Sequence, residues 1–173
     1  LMAKQLGPAD YGVLAVLTGI TYIFSIPTFS IQTIIAKQVT KFNVKGETSK
    51  IKSYLISSLK KIIPLTFIIF FIYLIISIPL SSKLNISFAL LAITGIFLFW
   101  SFFGSIGTGV LQGMKKFRGF GLNNVVNSSI KLLLGYIFVW LGFKVYGAIA
   151  AVVLGVFVAF LLVFPFIKEV LRA

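Results

Sequence analysis

The sequence has no cysteine and no histidine, and only three of its 173 residues are acidic. The chain therefore has no disulfide, no thiolate or imidazole metal ligand, and no histidine to act as an acid or base. The acids Asp10, Glu47 and Glu169 are far apart and form neither a carboxylate pair nor an Asp-x-Asp motif. We expect no metal site, no cofactor and no catalytic residue, which disfavours an integral-membrane transferase.

The chain is also poor in charge and rich in apolar residues. Hydrophobic residues make up 59% and charged residues 11%, and the mean hydropathy is +1.09. An ordinary soluble domain is far less apolar, so the composition predicts a membrane protein that crosses the bilayer several times. The net charge of +13 could indicate nucleic acid. However, the cations lie in short connections and form no broad basic face, so we expect no nucleic-acid partner.

Five hydrophobic runs are each close to the roughly 20 residues that a helix needs to cross the hydrocarbon. They are continuous rather than alternating, which excludes the pattern of a spanning β-barrel. The predicted fold is an all-α integral membrane bundle, with residues 1–173 as one membrane domain. The predicted spans are residues 11–36, 62–80, 86–111, 122–143 and 145–167.

The first residues are expected to end a helix that precedes these five spans. Leu1 is not a start methionine, and residues 1–6 are too short to span, so we expect the chain to be a fragment. Gly7 and Pro8 should stop this helix, and Asp10 is suited to cap the next one. A proline within a span favours a kink, which we expect at Pro27.

The cations are distributed unequally between the two ends of the predicted spans. Twelve Lys and Arg residues lie at one end and three at the other, with Lys131 inside a span. The positive-inside rule places the richer side in the cytoplasm. Residues 37–61 then form a cytoplasmic connection, in which Ile51, Leu55, Leu59 and Ile62 recur at helical spacing. This spacing predicts an amphipathic extension of the second span along the membrane surface.

Three of the predicted spans carry polar residues at intervals of three and four, which places each set on one helix face. We call these sets the polar stripes and predict that they line the path of a substrate. The stripes consist of Thr18, Thr21, Ser25, Thr28 and Gln32 on the first span, Ser101, Ser105, Thr108 and Gln112 on the third, and Asn124, Asn127, Lys131 and Gly135 on the fourth.

Helix packing is the alternative role for several of these residues. Ser and Thr commonly bond a preceding carbonyl or join neighbouring membrane helices. The pairs Gly104 with Thr108 and Gly109 with Gly113 favour close helix contact. The spans at residues 67–76 and 148–164 are almost purely apolar, which predicts that they face lipid or pack.

Lys131 is the ionisable residue that lies deepest in an apolar run. A charge at the centre of a membrane helix costs roughly 2.5 to 3.5 kcal/mol on insertion scales, and it usually faces a partner or a water-filled cavity. The alternative is a side chain that extends back to the interface, but roughly 13 to 14 Å of helix separates Lys131 from Leu122. We therefore expect Lys131 to face a cavity.

Lys115, Lys116 and Arg118 occupy the connection before the fourth span. The positive-inside rule is sufficient to explain these three cations. The alternative role is contact with the head groups of anionic membrane lipids.

The turn Leu6-Gly7-Pro8-Ala9-Asp10-Tyr11-Gly12 resembles a turn of polysaccharide biosynthesis proteins of the oligosaccharide flippase type. So does the connection from Leu111-Gln112-Gly113 to Phe117-Arg118, with the Asn-bearing span that ends at Leu141-Gly142-Phe143. This family belongs to the superfamily of multidrug and oligosaccharidyl-lipid exporters. The resemblance implies a protein of twelve to fourteen helices in two lobes, of which this chain is most of the N-terminal one. A missing C-terminal lobe would then be its partner.

The resemblance further implies export of a polyprenyl-diphosphate-linked oligosaccharide across the cell membrane by alternating access. Lys131 would bind the diphosphate, and the polar stripes would exchange hydrogen bonds with sugar hydroxyls. A cation-coupled multidrug exporter of the same superfamily is the alternative function. Such an exporter ordinarily needs a membrane-embedded carboxylate, and all three acids here fall in connections or at an end.

The unequal cation distribution predicts how cysteines introduced into the connections react in intact cells. A cysteine at Lys45 should be shielded from a membrane-impermeant thiol reagent, whereas a cysteine at Lys83 should react. Residues 1–173 add no background labelling, because they contain no cysteine. The reverse labelling pattern would overturn the orientation.

Overall fold

A computed structural model describes the backbone of residues 2–172 and the side chains of residues 6–168. In this part of the chain the secondary structure is helical, without a strand, as the sequence predicts. The helices are α1 (Met2–Val44), α2 (Thr48–Leu84), α3 (Phe88–Gly113), α4 (Phe117–Phe138) and α5 (Lys144–Arg172), and a π-helical segment (Val139–Phe143) joins α4 to α5.

Four stretches of the described chain are long and apolar enough to cross a membrane: Leu6–Val44, Thr48–Leu84, Phe88–Gly113 and Phe117–Lys168. These stretches agree with the predicted multi-pass membrane class. The fourth has 52 residues and contains α4, the π-helical segment and most of α5.

The backbone of this fourth stretch leaves helical geometry near its middle. Gly142 has φ 89° and Lys144 has φ 46°, values that right-handed helices do not contain. Beyond this break α5 packs along α4, since Gly147 approaches Phe138 and Gly155 approaches Lys131. Gly155 comes later in α5 than Gly147, but Lys131 comes earlier in α4 than Phe138. The two helices therefore run antiparallel.

The predicted interruption after residue 6 is confirmed at Gly7, whose φ of 75° and ψ of 166° break α1. The prediction that Asp10 caps the following helix is wrong, because helical geometry resumes directly after Gly7 and Asp10 lies within the first turn. Its carboxylate instead pairs with the Lys144 ammonium at 3.5 Å. At Pro27 the dihedral angles stay helical, so α1 is not broken there.

Residues 37–61 are largely helical. Helix α1 continues to Val44 and α2 begins at Thr48, which leaves a three-residue turn between them. The apolar residues at the start of α2 face the bundle. Ile51 and Leu55 are buried in a cluster with Val39 of α1 and Ile106 of α3. The apolar side of the extension thus packs against neighbouring helices, and its path along the membrane surface stays a prediction.

Helix α3 lies at the centre of the bundle and packs against α1, α2 and α5. Its Leu91, Leu98, Phe102 and Val110 are almost fully buried. By contrast, α2 leaves many large apolar side chains exposed, and α5 buries much of one face. These positions agree with the two roles, lipid-facing or packed, that were expected for the apolar spans.

Glycines set the distance between α3 and α1. A Cβ atom at Gly109 would lie 2.7 Å from the Gln32 carbonyl oxygen, and one at Gly113 would lie 2.6 Å from the Val39 Cβ. The close contact expected for this glycine pair is therefore confirmed. The contact expected at Gly104 is not found, because no atom lies within 4 Å of the position where its Cβ would be.

This difference between two glycines of one helix predicts a difference in stability. Gly109→Ala should lower the free energy of unfolding by about 1 to 3 kcal/mol, since overpacking a close contact costs that much. Gly104→Ala, the matched control, should be neutral or slightly stabilising because Ala favours helix. Thermal unfolding of the purified proteins in detergent measures both, and equal effects would contradict the proposed contact.

Candidate binding cavity

A cavity of about 530 Å³ opens between helices α1, α3, α4 and α5. Its volume is within the range of sites that bind small molecules or head groups, roughly 300 to 1,000 Å³. Helix α4 packs mainly on α5, whereas α3 packs on both α1 and α5. The four helices therefore form the walls of the cavity, with α3 and α5 in contact between α1 and α4.

Three polar stripes predicted from the sequence meet at this cavity. Helix periodicity gives each stripe a single face, and packing turns those three faces towards one another. Nine of the stripe residues line the cavity: Ser25, Thr28, Gln32, Ser101, Ser105, Thr108, Asn124, Asn127 and Lys131.

Other stripe residues lie outside the lining. Thr18 and Thr21 precede the cavity on α1, and their hydroxyl groups donate to carbonyls of their own helix. Gln112 is exposed, and its Oε1 accepts a hydrogen bond of 3.2 Å from Gln32 Nε2. Gly135 is buried outside the lining. Of the stripe residues outside the lining, only Gln112 forms a side-chain hydrogen bond with one that lines it.

Most hydroxyl groups in the α1 and α3 walls donate their protons to their own helices. Ser25 donates to the Tyr22 carbonyl at 2.6 Å, and Ser105 donates to the Phe102 carbonyl at 2.7 Å. Thr28 and Thr108 bond preceding carbonyls in the same way. These hydroxyl groups retain oxygen lone pairs, so they can accept hydrogen bonds from a ligand.

The α4 wall has a different chemistry, with one cation and several amides. Lys131 is half-buried, and among the described residues it forms no ion pair. One turn earlier, the Asn127 Oδ1 is buried without a hydrogen-bond partner in the described structure. Unsatisfied buried polar atoms are rare in folded proteins, so this oxygen is a candidate acceptor for a hydrogen bond from water or from a ligand.

Asn123 and Gly155 are among the residues at the site that the prediction from the sequence did not single out. Asn123 is buried in the lining, and its Nδ2 donates to the Ala159 carbonyl of α5. The four-residue spacing of Asn123, Asn127 and Lys131 indicates this face of α4. Gly155 of α5 lies against Asn127 and Lys131. The sequence pattern that indicates Gly155 is a series of small residues at intervals of four, namely Gly147, Ala151, Gly155 and Ala159.

The three cations of the α3–α4 connection do not line the cavity. Lys115 and Arg118 are exposed, and Lys115 adopts φ 57° in the turn. Lys116 donates a hydrogen bond of 2.9 Å to the Phe166 carbonyl of α5. This bond joins the start of α4 to the far end of α5. Contact with lipid head groups stays a prediction for all three.

Comparison with known proteins gives no relative. No family model, no curated protein and no solved structure matches the chain.

The lining predicts which cysteines small hydrophilic thiol reagents label. A cysteine at Ser25 or Ser101 should react because both positions line the cavity, whereas one at Thr18, on the same stripe but outside the lining, should react several times more slowly. A cysteine at Phe70, which lies among packed aromatic rings, is the unreactive control. Labelling rates in membranes measure this, and equal rates at positions 18 and 25 would argue against a water-filled cavity.

Proposed function

We propose that the chain belongs to a membrane transporter that carries polyprenyl-diphosphate-linked oligosaccharides across the cell membrane. The observation that carries the proposal is the convergence of a single cation and three polar helix faces on one cavity between apolar helices. In the same proposal, α4 and α5 cross the membrane separately, which gives five spans. A second lobe of similar helices would close the cavity and complete a protein of twelve to fourteen spans.

The cation supports an anionic ligand group. Roughly 21 Å of helix separates Lys131 from Phe117 at the start of α4. The Lys131 side chain is too short to span this distance and reach the membrane surface at that end of the helix. An ammonium and a phosphate oxygen about 4 Å apart interact by roughly 4 kcal/mol at an effective dielectric of 20, before desolvation is subtracted. Lys131 would therefore bind the diphosphate during transport.

The oxygen-rich walls support a ligand that carries many hydroxyl groups. Ser25, Thr28, Ser105 and Thr108 use their own protons within α1 and α3, so they offer acceptors to a ligand. Sugar hydroxyls donate to such acceptors and can exchange one for the next as the head group moves. The unpartnered Asn127 Oδ1 provides one more acceptor beside the cation.

The absence of acid from the lining favours this function over cation-coupled drug export. No described residue that lines the cavity is Asp or Glu. Asp10 and Glu47 form ion pairs elsewhere, with Lys144 and Lys50 respectively. A cationic drug in this cavity would meet Lys131, which repels it.

The positions of the remaining cations support an orientation with the α1–α2 and α3–α4 turns in the cytoplasm. Lipid-linked glycan would then enter from the side nearer Asn124 and meet Lys131 farther along α4. Exposed Lys115 and Arg118 would contact anionic lipid head groups at that surface.

The decisive variant is Lys131→Ala in the full-length protein. Loss of the cation should lower export of the lipid-linked glycan at least tenfold at unchanged membrane abundance, whereas Lys131→Arg, which keeps the charge, should retain part of the export. Lys83→Ala, at an exposed position, is the control and should export normally. Cell-surface glycan and accumulated lipid-linked precursor are measured together. Normal export by Lys131→Ala at normal abundance would refute the role of Lys131.

A further inference from the structure

Gly155 of α5 lies against two side chains of α4, those of Asn127 and Lys131. A Cβ atom at this position would stand 2.8 Å from Lys131 Cγ, 3.0 Å from Asn127 Oδ1 and 3.1 Å from the Asn127 carbonyl oxygen. Contacts below 3.0 Å essentially never occur for a real Cβ. Any side chain at position 155 would therefore have to move Lys131, Asn127 or the whole of α4.

The stem of the Lys131 side chain thus passes directly over the bare backbone of Gly155. Lys131 lines the cavity, and its four-carbon stem is flexible enough to adopt other directions. Contact between Lys131 Cγ and α5 restricts these alternatives, because one side of the stem is blocked by helix. The same contact encloses the Asn127 Oδ1, which is buried and unpartnered.

We propose that Gly155 is a positioning residue, whose missing side chain leaves room for the Lys131 stem and the Asn127 carboxamide to lie side by side against α5 at the cavity. The role in ligand binding rests on the proposed function, whereas the placement of Lys131 by Gly155 does not. Side by side, the two groups suit a ligand that presents an anionic oxygen next to a hydroxyl donor. The link between a sugar and a phosphate has this chemistry.

A single cysteine at position 131 tests the placement without any transport assay. In Lys131→Cys the sulfur occupies the Cγ position, the atom that a Cβ at 155 would contact at 2.8 Å. Adding Gly155→Ala should displace the sulfur from the cavity and slow its labelling by a small hydrophilic thiol reagent about tenfold. An unchanged labelling rate would overturn the proposal.

Gly147→Ala is the matched control on the same helix. A Cβ at Gly147 would lie 2.6 Å from the Phe138 Cβ of α4, so this variant strains the same pair of helices away from Lys131. It should leave labelling of the cysteine at position 131 unchanged. An equal decrease in both variants would mean that general loosening of α4 from α5 causes the effect, which would refute a specific role for Gly155.

If Gly155→Ala alone lowers membrane abundance, labelling is measured in Gly155→Ala combined with Asn127→Ala. This pair removes the amide oxygen that stands 3.0 Å from the added carbon and should restore part of the abundance. The contact with position 131 remains, so labelling of its cysteine should stay slow. Fast labelling in this combination would contradict the proposal.

Binding of farnesyl diphosphate to the full-length protein tests the consequence for the ligand. With Lys131 intact, Gly155→Ala should weaken binding about tenfold and Gly147→Ala should not. Slow labelling of the cysteine at position 131 together with unchanged binding would show that Gly155 places Lys131 but that Lys131 does not bind diphosphate. That result would refute the diphosphate assignment in the proposed function and leave the placement intact.

Discussion

Polar groups inside an apolar bundle must find hydrogen-bond partners within the protein, in enclosed water or in a ligand, and the arrangement of this chain follows from that requirement. Most hydroxyl groups of α1 and α3 bond carbonyls of their own helices, and Asn123 bonds a carbonyl of α5. Gln32 and Gln112 bond each other across α1 and α3. The Lys131 ammonium and the Asn127 Oδ1 are among the groups that have no such partner in the described part of the chain. Both lie at the cavity, so a ligand that supplies the missing partners would bind there.

Close helix packing is what creates the space. Gly109 and Gly113 allow α3 to lie directly against α1, and Gly147 and Gly155 allow α5 to lie against α4. Since α3 also packs on α5, the two helix pairs are joined along α3 and α5 and stand apart at α1 and α4. Gly104, by contrast, lines the open space between the pairs. The same residue type thus closes one side of α3 and opens another, depending on the neighbouring helix.

The two walls of the cavity offer complementary chemistry to one kind of molecule. The walls from α1 and α3 supply oxygen acceptors, whereas α4 supplies a cation and amides. A hydrophobic drug would leave the Asn127 Oδ1 and the Lys131 ammonium without partners. An unsatisfied buried polar group costs about 1 to 3 kcal/mol, and a charged group costs more. A head group with both negative charge and hydroxyl donors satisfies them. This matching is the physical basis of the function proposed for the chain.

The sequence by itself determined the helical class, the interruption at Gly7 and the polar faces of three helices, because apolar run length and a 3.6-residue period are local properties of the chain. It did not determine the height of each residue relative to neighbouring helices. Thr18 and Ser25 share one predicted face, yet only Ser25 lines the cavity. Periodicity also does not identify the neighbour: Asn123 and Gly155 acquire their roles only because α5 folds back along α4. Tertiary packing decided which polar residues meet. The spacing of residues along a helix fixes the side of the helix on which a side chain lies. It fixes neither the level of that side chain relative to the neighbouring helices nor which helix it faces.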